Sequence, residues 1–95
     1  MKTLNKVEII PVFNDFCPSD EDMMPNHIYI SEKYKSANHL CLCGCGNLVI
    51  LPIYNDGWKL IKEGNGKVSF TPSVGNYQIK CKSHYIITNN VANFV

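Results

Sequence analysis

Apolar and polar residues alternate over short distances along this chain, and the alternating stretches are separated by turn-forming residues. That pattern predicts β-strands rather than helices. His27 to Ser31 places Ile28 and Ile30 on one face and His27 and Tyr29 on the other. Val7 to Phe13 is β-rich but interrupted by Pro11, as expected of an edge strand. Leu48 to Tyr54 is continuously apolar, the pattern of a strand buried on both faces, with Pro52 pushing its end toward an edge. Trp58 to Lys62 and Lys67 to Thr71 flank Glu63-Gly64-Asn65-Gly66, and His84 to Thr88 and Val91 to Phe94 flank Asn89-Asn90. Both pairs read as hairpins, because glycine and asparagine tolerate positive φ. Tyr77, Ile79 and Cys81 share one face of a further predicted strand. Ser31 to Ala37, with Ser31 as its cap, is the sole helix candidate. The fold expected is all-β: a small sheet or open barrel of short strands and hairpins.

Ninety-five residues make one domain near the size at which an apolar core needs a staple. Residues 1–26 read as an N-terminal strand and an acidic loop around Asp20-Glu21-Asp22, and residues 27–95 as the core. A net charge of +1 removes the electrostatic footprint of a nucleic-acid or anionic-membrane binder. The five tyrosines and one tryptophan could stack on bases, but the lysines are scattered rather than clustered. No apolar run is long enough to span a bilayer. The start Met1-Lys2-Thr3-Leu4-Asn5-Lys6 lacks the apolar stretch of a signal peptide, so the expected location is the cytoplasm.

In that compartment the five cysteines point to metal rather than to disulfides. Cys41, Cys43 and Cys45 occupy alternate positions in Cys41-Leu42-Cys43-Gly44-Cys45-Gly46, so their side chains converge if the segment is roughly extended. Cys81 can complete an all-thiolate zinc site, and the rival set takes the Cys81-x-x-His84 pair with two upstream cysteines. A structural zinc would supply on the order of 10 kcal/mol of apparent folding free energy. Cys17 stands apart and reads as a semi-buried thiol.

Ser73, in Thr71-Pro72-Ser73-Val74-Gly75-Asn76, reads first as part of a turn and lacks the first glycine of a G-x-S-x-G elbow. Read chemically, Gly75 permits a tight backbone whose N–H groups could face a ligand, and the Asn76 amide is a further donor. His39 and His84 beside the cysteines read first as metal ligands or packed residues.

Taken together, His39-Leu40-Cys41-Leu42-Cys43-Gly44-Cys45-Gly46, Pro52, Trp58, Pro72-Ser73-Val74-Gly75-Asn76 and Cys81-Lys82-Ser83-His84-Tyr85 resemble a family of small bacterial proteins. That family was long labelled only as a domain of unknown function. Its members are encoded in operons with ubiquitin-like modifiers and their activating, conjugating and deconjugating enzymes. The likeness covers about residues 27–95. It implies a zinc-containing serine peptidase acting on ubiquitin-like modifier precursors or conjugates, with Ser73 as nucleophile and His84, or failing that His39, as general base. Asp56, Glu32 and Asp20-Glu21-Asp22 are the acidic residues available for a third member. Imidazole bound to zinc cannot also take a proton from serine. His84 as base therefore leaves the metal to Cys41, Cys43, Cys45 and Cys81, and His84 as ligand leaves the base to His39; the first arrangement uses every clustered cysteine and is preferred. The alternative function is a non-catalytic zinc-pinned module that recruits a ubiquitin-like modifier or an activating or conjugating (E1- or E2-like) enzyme.

Overall fold

A computed structural model describes residues 6–53, 57–75 and 83–95. Among the described residues nine strands are formed: β1 (Lys6–Glu8), β2 (Ile10–Phe13), β3 (His27–Ser31), β4 (Ser36–Leu40), β5 (Leu48–Pro52), β6 (Lys59–Gly64), β7 (Lys67–Gly75), β8 (His84–Thr88) and β9 (Val91–Phe94). Among the described residues the only helical element is a single 3-10 turn, Asp20–Asp22. The fold is all-β, as the alternation predicts, and takes the form of two sheets. One has five antiparallel strands in the order β1-β9-β8-β7-β6; the other has four in the order β2-β3-β4-β5, with β2 and β3 parallel.

The sheets pack face to face because each presents one apolar row. Ile28, Ile30, Ala37, Val49 and Leu51 come from the four-stranded sheet, and Val68, Phe70, Val74, Tyr85, Ile87 and Ala92 from the five-stranded sheet. These residues form one core, with Trp58, Leu60 and Phe94 packed against it. Full burial of a side chain such as Phe70 or Leu51 stabilises by about 1.5–3 kcal/mol. A one-residue slip of any such strand would turn its apolar row to water, so burial fixes the register.

Several local expectations change. The stretch Val7 to Phe13 divides between the two sheets, with Ile9 buried at the crossing. Pro11 lies in β2, an edge strand, as its missing N–H requires. The Ser31–Ala37 segment is not helical: residues 32–35 make the β3–β4 turn, with Lys35 at φ 56°. Ser31 Oγ accepts from the Tyr34 N–H at 3.1 Å, so the serine caps a turn instead of a helix. Strand β5 is buried on one face only. It is the last strand of its sheet, and Leu48 and Ile50 remain exposed while Val49 and Leu51 enter the core. Both predicted hairpin turns form, with positive φ at Gly64, Asn65 and Gly66 and at Asn89 and Asn90. The predicted strand Tyr77–Cys81 lies outside the described residues.

Candidate active site and metal centre

The site begins with an irregularity in β7. Phe70 faces Ile87 and Val74 faces Tyr85, so four steps along β7 oppose two along β8. The surplus falls on Thr71-Pro72-Ser73, where the Thr71–Pro72 peptide is cis. Beyond this bulge the ladder resumes with Val74 opposite Tyr85 and Gly75 opposite His84. Val74 and Tyr85 are buried in the core. Alternation therefore turns Ser73, Gly75 and His84 to the opposite, outer face.

There, Gly75 has no side chain to compete for the space facing His84, and the imidazole leans diagonally onto Ser73. His84 Nε2 lies 2.6 Å from Ser73 Oγ. With Nε2 unprotonated, the Ser73 hydroxyl donates to it, the geometry required of a nucleophile and its base. Trp58 steadies the bulge from the other side: its indole Nε1–H donates to the Ser73 carbonyl at 3.3 Å.

His39 occupies a different environment. It is fully buried, its Nε2 sits 2.8 Å from the Tyr85 hydroxyl, and its Nδ1 has no hydrogen-bond partner among the described residues. Burial pushes its pKa down to about 4, holding the ring neutral. The structure thus brings His84 to Ser73 and places His39 against Tyr85 in the core. Of the acidic residues considered, Glu32 pairs with Lys62 and Asp22 accepts from Ser19 Oγ at 3.2 Å. Asp56 and Asn76 lie outside the described residues.

The cysteine cluster forms, but by a turn and not by an extended strand. Residues 42–45 turn back on themselves. The Gly44 N–H donates to the Cys41 carbonyl at 3.1 Å, and the Cys41 N–H to the Asn47 carbonyl at 2.7 Å. Gly44 and Gly46 take φ of 94° and 85°, which a side chain would oppose. The three sulfurs lie within 4.8 Å of one another, with Cys41 Sγ and Cys43 Sγ 3.5 Å apart. Thiolates around tetrahedral zinc, at about 2.3 Å each, stand about 3.8 Å apart. The cluster therefore fits such an ion and could hold one. Cys41 is buried, whereas Cys43 and Cys45 face solvent. Cys81 lies outside the described residues, but Ser83, two positions further on, has its Oγ 3.1 Å from Cys41 Sγ. Asn47 Nδ2 donates to Cys45 Sγ at 3.1 Å.

Cys17 is half-buried, with its Sγ 3.4 Å from the Tyr29 carbonyl, and desolvation raises its pKa. That environment disfavours a reactive thiolate. The contacts made by Trp58, Ser83, Tyr85 and Asn47 were not predicted from the sequence. Ser83 could have been found from its position between Cys81 and His84.

No helix among the described residues is long and apolar enough to cross a membrane. Neither a curated protein nor a solved structure matches the chain. A family model does, over residues 13–95, described as bacterial ubiquitination-like system serine protease (BubE). It takes in strands β3 to β9 and with them the Ser73–His84 contact and the cysteine turn. The chain belongs to this BubE serine protease family.

Proposed function

We propose that this protein is a serine peptidase that cleaves the bond following the C-terminal residue of a ubiquitin-like modifier, in a precursor or a conjugate. The 2.6 Å contact between Ser73 Oγ and His84 Nε2 carries the reading. His84 takes the hydroxyl proton as Ser73 Oγ bonds to the carbonyl carbon of the scissile amide. The tetrahedral oxyanion is received by the Gly75 backbone N–H and the Asn76 amide. As the C–N bond breaks, His84 returns the proton to the leaving amine and an ester on Ser73 remains. Water then adds to that ester, giving its proton to His84. Collapse releases the modifier carboxylate and returns the proton to Ser73.

Cys41, Cys43, Cys45 and Cys81 would hold a zinc ion whose contribution is structural, ordering the cysteine turn and the approach to β8. Four thiolates leave no open position for a substrate. The extended tail of a modifier is suited to pairing with an exposed sheet edge, and β6 and β5 each end a sheet. Modifier conjugates in the cytoplasm, together with their E1- or E2-like enzymes, are the partners expected.

The test is a fluorophosphonate probe together with a modifier carrying a C-terminal extension. Labelling of native protein and cleavage of the extension, both lost in Ser73→Ala, are the expected results. Absence of labelling and cleavage with retained modifier binding would establish the recruiting module instead.

A further inference from the structure

Strands β4 and β8 belong to different sheets, so no backbone ladder fixes one against the other. Side chains make the contacts described between them. Most of the interface is apolar and therefore non-directional. Polar contacts interrupt it, and two of them are spaced alike on both segments. His39 and Cys41 are two residues apart at the end of β4; Tyr85 and Ser83 are two residues apart at the start of β8. His39 Nε2 meets the Tyr85 hydroxyl at 2.8 Å, and Cys41 Sγ meets Ser83 Oγ at 3.1 Å. Between the two contacts lies His84, whose side chain points the opposite way, onto Ser73.

We propose that the His39–Tyr85 and Cys41–Ser83 bonds form a two-rung clamp that fixes β8 against β4 and so holds the His84 imidazole on Ser73, with Ser83, Tyr85 and His39 as positioning residues. The inference rests on the reading of Ser73 and His84 given above. The His39–Tyr85 bond lies in the dry interior, where it is directional and costly to leave unmade, and the Cys41–Ser83 bond is part-buried; sliding β8 along β4 would sacrifice both rungs at once. One rung ends on a sulfur of the cysteine cluster, which links the cluster to the dyad. In the thiol form of Cys41 either atom can donate. A metal-bound thiolate has no proton, so the Ser83 hydroxyl becomes the donor and the bond gains charge assistance. Filling the cysteine site therefore tightens the rung immediately before His84.

The experiment compares zinc-loaded wild type with Ser83→Ala, Tyr85→Phe and the hydroxyl-retaining Ser83→Thr. Three quantities are read: the fluorophosphonate labelling rate at Ser73, zinc retained against a chelator, and the ¹⁵N signals of the His84 ring. Displacing a base by a fraction of an ångström to an ångström costs on the order of tenfold or more in rate. Ser83→Ala and Tyr85→Phe should each label about tenfold more slowly and shift the His84 ring signals. Ser83→Ala should also release zinc faster, and Ser83→Thr should recover both properties. Wild-type labelling rates and unmoved His84 signals in folded Ser83→Ala and Tyr85→Phe would overturn the clamp, even if both melt at lower temperature. Ser83 lies at the half-buried start of β8, so its variants decide the matter if Tyr85→Phe does not fold. Should wild type itself resist labelling, the serine peptidase reading fails. The His84 ring signals in Ser83→Ala then still decide the clamp: a shift supports it and no shift overturns it.

Discussion

Replacing Gly57 by alanine should disturb the candidate active site from a distance. A Cβ at this position would collide with the Pro52 carbonyl oxygen and lie 3.2 Å from its carbon. Both are backbone atoms, so no flexible side chain can move aside. The φ of Gly57 lies outside the left-handed region, and the effect of the substitution is therefore one of space and not of backbone strain. The same carbonyl accepts the Trp58 N–H at 2.8 Å, and the Trp58 indole in turn holds the Ser73 carbonyl. To admit the methyl group, the end of β5 and the residue before β6 must separate. Overpacking of this kind costs about 1–3 kcal/mol, and losing the backbone hydrogen bond adds about 1 kcal/mol. For a domain of this length each kcal/mol lowers Tm by about 4–8 °C, so a loss of about 2–4 kcal/mol should make Gly57→Ala melt about 8–32 °C below wild type. Urea unfolding can be followed by the fluorescence of Trp58, the one tryptophan of the chain. Fluorophosphonate labelling at Ser73 should slow in the same variant while it is still folded. A Tm within about 2 °C of wild type together with unchanged labelling would show instead that the Pro52–Trp58 contact is soft and does not hold Ser73.

Ser73→Ala should abolish labelling and modifier cleavage at every pH, with the melt and zinc content unchanged; cleavage that survives would require another nucleophile. Cys43→Ser, or exhaustive chelation of wild type, should remove the metal and the cooperative melt together, because a structural zinc contributes about as much as the net stability of a small domain. A metal-free chain that keeps a cooperative transition would exclude that role. The pH dependence follows from His39, whose pKa burial lowers to about 4. As pH falls, the unfolded chain takes up this proton near its ordinary value of about 6.5, well before the folded one does, so stability is lost between the two. The loss should approach roughly 3 kcal/mol by pH 4. His39→Gln should remove that much of the slope in urea unfolding measured at pH 7 and pH 4, and parallel profiles for the two proteins would contradict it.

The strands of the five-stranded sheet and the turns between them were largely legible, because their signals are local. Gly64-Asn65-Gly66 and Asn89-Asn90 supply the positive φ that tight turns need, and alternation assigns Val68, Phe70, Tyr85 and Ile87 to one face. Other elements were misread for an identifiable reason. The Leu48–Tyr54 pattern suggested burial on two faces, since a run of apolar residues says nothing of whether another layer covers it. Ser31 does cap the backbone that follows, but a serine cap serves a hairpin turn as readily as a helix.

The order of residues establishes which types are available for chemistry: three cysteines and two glycines within six positions, a serine after proline, and a histidine three residues beyond a fourth cysteine. It also determined, through two-residue periodicity, that the elements would be strands. Tertiary structure decided which of those residues meet. Ser73 and His84 are eleven positions apart and face each other only because the β7 bulge resets the register against β8. His39 was an equal candidate by type, yet its strand lies in the other sheet and turns it into the core against Tyr85. The cysteines converge through a turn closed by Asn47, an outcome that strand alternation does not contain. Periodicity encodes the face on which a side chain stands, whereas partner, sheet and register depend on burying all the apolar rows at once.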